Sequence, residues 1–153
     1  MSVDPCILGA DPGLSGGVAF YYPDTRDVAV LDMPVVAGEV NMPELARQIR
    51  IYGPKFAFVE RVASRPGQGV SSVFRFGCAY GQLLGVIATL EVPYRLVTPS
   101  TWKRWFKLSG SDKELSRARA LELWPQRAEL FKRKMDHGRA EAALLALYGA
   151  DTL

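Results

Sequence analysis

The chain has 153 residues and a mass of 16.9 kDa, with 48% hydrophobic and 23% charged residues and a formal net charge of +3. That composition fits one domain with a sizeable core, and it argues against disorder and against two separate domains. No apolar run reaches the roughly 18–20 residues of a bilayer span. Two cysteines, Cys6 and Cys78, make neither a disulfide framework nor a zinc site, and a lone histidine, His137, excludes chemistry that needs two.

The opening MSVDPCILGAD has no basic stretch ahead of an apolar one, so no secretory leader is expected. With both cysteines in apolar segments, a reduced cytoplasm is the expected setting. Cys6–Asp11 is a near-continuous apolar run ending in an acid, the pattern of a buried central strand. Residues 12–17, Pro-Gly-Leu-Ser-Gly-Gly, form a turn by composition. Gly17–Tyr22 is a second strand, Pro-Asp-Thr-Arg (23–26) turns the chain again, and Val28–Met33 is a third, giving an antiparallel meander. Asn41, with Glu44 three residues on, has capping-box spacing. Leu45, Ile49 and Tyr52 then share one helical face until Gly53-Pro54.

Lys55–Glu60 is a short buried strand that again ends in an acid. The loop Arg61–Gly69 is rich in Gly, Pro and Arg, and leads into a long helix from about Val70 to Leu90. Gly77, Gly81 and Gly85 recur on one face of that helix. Pro93–Val97 is a fifth strand. Ser100 is expected to cap a short helix carrying Trp102 and Trp105, both expected in the core. Ser111 and Glu114 have capping-box spacing for the next helix, Pro125 breaks or restarts it, and Asp136–Tyr148 is the last. The order βββ-α-β-α-β-α-α-α predicts an α/β fold, with a five-stranded mixed sheet flanked by helices in a single domain over residues 1–153.

Charge is unevenly placed. Residues 1–98 carry 8 basic and 9 acidic side chains, whereas residues 99–139 carry 11 and 5. Such a basic stretch reads either as solvated helix faces or as a surface for a phosphate backbone.

Three acidic positions stand out. A carboxylate ending a buried strand is costly unless paired. Asp11 read alone is a turn cap before Pro-Gly, and Glu60 read alone is a strand end in a salt bridge. Together, on adjacent strands, they would repel unless a divalent cation sat between them. The third position is the cluster Asp-His-Gly-Arg-Ala-Glu-Ala (136–142) opening the last helix. There His137 and Glu141 project from one face, and Asp136 fits as an N-cap or as a ligand just before the first turn. Asp24, Asp27 and Asp32 lie away from this group.

These segments bring a family into view. Residues 7–17, Phe-Val-Glu-Arg (58–61), 65–74, Thr-Pro-Ser-Thr-Trp-Lys-Arg (98–104), 112–117 and 136–142, in this order, resemble the RuvC-type Holliday junction resolvases of the ribonuclease H-like superfamily, especially phage and prophage members. The resemblance implies a ribonuclease H-like fold. It also implies a structure-selective endonuclease that cuts four-way DNA junctions with two divalent ions, Mg²⁺ or Mn²⁺. The ligands carried over are Asp11, Glu60, Glu141 and a fourth at either Asp136 or His137.

The resemblance implies DNA contacts as well. Arg61, Arg65 and Arg75 would meet phosphates, and Gln68, or else Phe74 and Phe76, would enter the junction, unless the two rings pack in the core. Lys103, Arg104, Lys107, Lys113 and Arg117 would line the DNA arms, although Arg117 and Arg119 could instead pair with Glu114 and Glu122. A homodimer follows from the two-fold symmetry of the substrate, with the glycine-faced helix as a candidate surface. Neither a membrane nor a small-molecule cofactor is implied, and the setting would be a bacterial or phage-infected cytoplasm. The rivals are an RNA–DNA hybrid ribonuclease or RNA processor on the same fold, and a noncatalytic junction-binding protein. An actin-like or sugar-kinase ATPase would need two such domains.

Overall fold

The structure is a computed structural model that describes residues 4–110 and 112–153. In chain order it contains β1 (Ile7–Asp11), β2 (Gly17–Tyr22), β3 (Asp27–Asp32), β4 (Val35–Val36), β5 (Glu39–Val40), α1 (Met42–Tyr52), β6 (Phe56–Glu60) and α2 (Val70–Thr89). There follow β7 (Tyr94–Val97), α3 (Pro99–Trp105), α4 (Lys113–Leu123), two 3₁₀ segments (Pro125–Leu130 and Lys134–Asp136) and α5 (His137–Thr152). The five long strands form one sheet in the order β3-β2-β1-β6-β7. The β3-β2-β1 part is antiparallel, and β6 and β7 run parallel to β1.

Strand alternation assigns the two faces. Leu8 and Ala10 of β1, with Ala57 and Val59 of β6, pack toward α1 and α2, where Leu45, Ile49, Leu83 and Ile87 meet them. Ile7 of β1 and Phe58 of β6 belong to the opposite core, with α5, Trp102, Trp124 and Phe131. By the same parity Asp11 and Glu60 face the α5 side. Gly9 lets α5 lie directly on β1, since a Cβ there would run into the α5 backbone at Ala142 and Ala146. The helix is buried almost all round because it sits between the sheet and α4.

Several local details differ from the sequence reading. A small hairpin, β4–β5, turns through Ala37 and Gly38, both at positive φ, which gives a tight two-residue turn. The Asn41 side chain accepts from the Glu44 N–H at 3.2 Å, but the Glu44 carboxylate turns to Arg47 rather than back to the cap. Gly53 ends α1 in the left-handed conformation. Ser100 is not a cap: Thr98 precedes the helix and Ser100 lies inside it. Ser111 lies outside the described residues, and Asp112 caps α4 by accepting from the Glu114 N–H. Trp102 is fully buried, but Trp105 is 44% exposed, because only the former points at the sheet.

α2 is long and apolar enough, by length and composition, to cross a bilayer, a property the sequence reading had not assigned to it. Its apolar content is divided between Ala79, Leu83, Val86 and Ile87, which are buried on the sheet side, and an open face. Gly77, Gly81 and Gly85 have nothing within 4 Å of a notional Cβ, so the glycine face is not the one that packs on the sheet.

Candidate metal centre and nucleic-acid interface

The parallel register Ala10↔Val59 brings the last residues of β1 and β6 level on neighbouring strands, about 4.8 Å apart in an ordinary sheet. Their parity turns Asp11 and Glu60 toward the first turns of α5, where Glu141 arrives. Asp11, Glu60 and Glu141 each present a carboxylate oxygen, and these oxygens lie within 4.8 Å of one another. Three elements far apart in sequence thus deliver three acids to one point at the open end of the sheet.

The electrostatics of this group are unbalanced. Burial, with the adjacent Glu141 and Glu60 carboxylates, holds the Asp11 carboxyl well above its ordinary value. Burial also raises Glu60; a hydrogen bond from Trp102 works against the rise and Glu141 adds to it. The Trp102 Nε1–H donates to Glu60 Oε2 at 2.9 Å. Lys103 Nζ stands 3.9 Å from Glu141 Oε1 and 5.5 Å from the Trp102 ring. An all-oxygen set of crowded carboxylates is the donor chemistry that hard divalent cations take, so the residues present fit such an ion.

The two candidates for a fourth ligand part company here. Asp136 is 1% exposed and lies outside the group. It stands at the N-cap position of α5, but its side chain makes no cap hydrogen bond there and does not accept from the Arg139 backbone N–H. Its carboxylate accepts from the Arg133 N–H at 2.8 Å and from Arg133 Nε at 3.0 Å, with Arg139 Nε at 3.8 Å. Burial pushes its carboxyl up, but the hydrogen bonds and charge of Arg133, with Arg139, outweigh this and hold it below its ordinary value. His137 also lies outside the group; it is half-buried one turn before Glu141, and its Nε2 lies 3.5 Å from Lys113 Nζ.

No protein-family model matches the chain. A curated relative, the chloroplastic Holliday junction resolvase MOC1 of Chlamydomonas reinhardtii, is 28% identical over 114 residues. That match takes in 74% of this chain but only 12% of the relative's length. Among solved structures, T. thermophilus RuvC in complex with a Holliday junction substrate superposes with a TM-score of 0.63 at 16% identity, covering 95% of this chain and 92% of that one. The Fowlpox virus resolvase, solved with its substrate Holliday junction DNA, gives a TM-score of 0.54 at 13% identity, covering 96% and 99%. The chain has the ribonuclease H-like fold of the RuvC resolvases.

On this RuvC-like fold the remaining candidates separate. Arg61, Arg65, Arg75, Arg104, Lys107 and Lys113 are exposed. Phe74 is 74% exposed, whereas the ring of Phe76 packs against Gly13 in the β1–β2 turn, where a positive φ and the ring leave no room for a Cβ. Gln68 is exposed but engaged within its own loop: its Oε1 accepts the Arg65 N–H at 2.5 Å and closes the turn. Lys103 faces the carboxylates rather than an outer groove. Arg117 bonds Glu114 at 3.2 Å and the Lys132 carbonyl at 3.0 Å, so it braces the approach to α5 instead of lining a free surface. Arg119 pairs with Glu122.

The sequence reading passed over two features. It placed Trp102 in the core but missed its polar end, and it left out Lys132, Arg133 and Lys134, an exposed basic run just before α5. The run Phe-Lys-Arg-Lys was the available signal for the second.

Proposed function

We propose that the chain is a structure-selective endonuclease that resolves four-way DNA junctions by metal-dependent phosphodiester hydrolysis. The observation that carries this reading is the convergence of Asp11, Glu60 and Glu141 on one point, with too little positive charge around them, on a fold shared with RuvC. The chemistry supplied by two divalent ions, when bound, is activation of the attacking water and neutralisation of charge at the leaving 3′-oxygen. Asp11, beside both of the other acids, would contribute to holding both ions. Glu60 would hold one ion and Glu141 the other. His137 takes the remaining position in preference to Asp136, whose oxygens are already engaged by Arg133.

DNA is held by other groups. Arg61 follows Glu60 directly, Arg65 sits in the loop closed by Gln68 with its charge felt at Glu60, and Arg75 is exposed on α2. Phe74 is the exposed ring free to stack on a base at the branch point. Arg104, Lys107 and Lys113 extend the path, and Lys132 and Lys134 add exposed positive charge just before α5. The open glycine face of α2 supports a homodimer, the symmetry a two-fold junction requires. The free cysteines support a reducing compartment.

The test is incubation with a four-way junction, a replication fork, a linear duplex and an RNA–DNA hybrid, each with Mg²⁺ and with Mn²⁺. Symmetric cutting of the junction, with little action on the linear duplex, is the expected result. Cutting of the hybrid alone would move the chain to the ribonuclease reading, and junction binding with no cut in either metal would make it a binding protein.

A further inference from the structure

The indole of Trp102 is completely buried, packed edge-on against Phe106 at 6.4 Å between ring centres. A buried indole N–H is a donor only and needs an acceptor. Elsewhere in this chain the need is met in the usual way: Trp124 Nε1–H donates to the Arg26 backbone carbonyl at 2.9 Å. Trp102 instead donates to a side chain, Glu60 Oε2, at the same distance. Its acceptor is one of the three converging carboxylates.

We infer that Trp102 is a positioning residue for the metal centre, using its N–H to fix the Glu60 carboxylate in the orientation that faces Asp11 and Glu141. This rests on the reading of that trio as a divalent-metal site. A glutamate at a strand end has three rotatable side-chain bonds, and its charged oxygens repel those of its two neighbours. Left alone, the carboxylate would swing away from them. One oxygen tied to a rigid, buried ring fixes the carboxylate plane and leaves the other oxygen for an ion. The tie also crosses elements: α3 holds Glu60 on β6 through Trp102, and through the next residue, Lys103, it reaches Glu141 on α5. Partners of this kind behind a metal ligand typically change affinity by about 10- to 100-fold when removed. Packing alone would be served by any ring of the same shape, so only the N–H separates a positioning role from a structural one.

The experiment replaces Trp102 site-specifically with benzothienylalanine, which keeps the shape of the indole and substitutes sulfur for N–H. The same replacement at Trp124 is the control, and Trp102→Phe is a genetically encoded second arm. Mn²⁺ binding is followed by calorimetry on the full chain, and the metal-free thermal midpoint is recorded beside it. The expected result is Mn²⁺ affinity about 10- to 100-fold weaker at Trp102, with the midpoint little changed and the Trp124 replacement silent. In a Glu60→Gln background the Trp102 replacement should add no further loss. An affinity equal to that of the unmodified protein, or an equal loss from the Trp124 replacement, would overturn the inference while leaving the metal site standing. If the unmodified protein takes up no Mn²⁺, the reading beneath it fails as well.

Discussion

Two acidic clusters sit at the same end of the sheet and have opposite chemistry. The register Asp32↔Gly17↔Asp11 places them two strands apart, roughly 10 Å. In one, Asp136 and Asp32 are met by Arg133 and Arg139, with contacts of 2.7–3.9 Å. In the other, Asp11, Glu60 and Glu141 meet chiefly one another, with Lys103 at 3.9 Å from the last. Asp136 is at least as buried as the trio, so burial alone does not separate the two clusters. What differs is whether the fold itself supplies the compensating cation. Where it does, the acid is a clamp; where it does not, the acids are left to be met by a cation from outside, as the proposed function requires.

The largest expected break between the two clusters is catalytic. Asp11→Asn should lower junction cleavage roughly a hundred- to a thousandfold, on the scale of removing a principal electrostatic catalyst, while junction binding measured by gel shift survives. Glu60→Gln and Glu141→Gln should follow it. Asp136→Asn should instead leave Mn²⁺ affinity intact and cost stability. The cost is about 1.5–3 kcal/mol for hydrogen bonds to a charged group, toward the low end because the Arg133 side chain is 47% exposed. Denaturant unfolding measures that loss, and a fall in metal affinity instead would return Asp136 to the centre.

Acidity separates the clusters by sign. The Asp11 and Glu60 carboxyls are raised in the folded chain, so the native state holds protons that the unfolded state releases. Metal-free stability should therefore fall as pH rises from about 4, the unfolded value, through the raised folded values. Asp136 is lowered, so its contribution is present above about pH 4 and is lost as pH falls through its depressed value. Thermal midpoints across pH should show the first decline shrink in Asp11→Asn, and the acid-side loss shrink in Asp136→Asn. The smallest effect concerns the outer surface: Lys107→Ala should reduce the slope of log affinity against log salt by about 0.9 if one phosphate contact is lost. Lys103→Ala, facing the carboxylates, should change that slope less.

Much of this was legible in the chain itself. Apolar runs closed by acids at Asp11 and Glu60, and tight turns between the first three strands, were enough to order the sheet and to place two carboxylates side by side. Glu141 followed from its setting at the start of an otherwise apolar helix. The fourth position was not legible, because Asp136 and His137 are neighbours in sequence and only the three-dimensional placement of Arg133 shows which one is engaged. The roles of Arg117, for which pairing with Glu114 was the stated alternative, and of Lys103 were not legible for a similar reason: a basic residue in a basic stretch looks the same whether it faces DNA, a carbonyl or a carboxylate. Trp102 announced its apolar body and concealed its donor, since its acceptor is 42 residues away in sequence.

The central claim is that the uncompensated trio is a divalent-cation site, and the most direct test is thermal unfolding of the unmodified chain and Asp11→Asn, each with and without Mn²⁺ near neutral pH. Metal-free, Asp11→Asn should melt higher, since it removes one of the crowded charges. With Mn²⁺ at about a hundred times its dissociation constant, the unmodified chain should gain roughly 2.7 kcal/mol, a rise of several degrees, and Asp11→Asn should gain little. Equal gains in the two proteins, or none in the unmodified chain, would contradict the account.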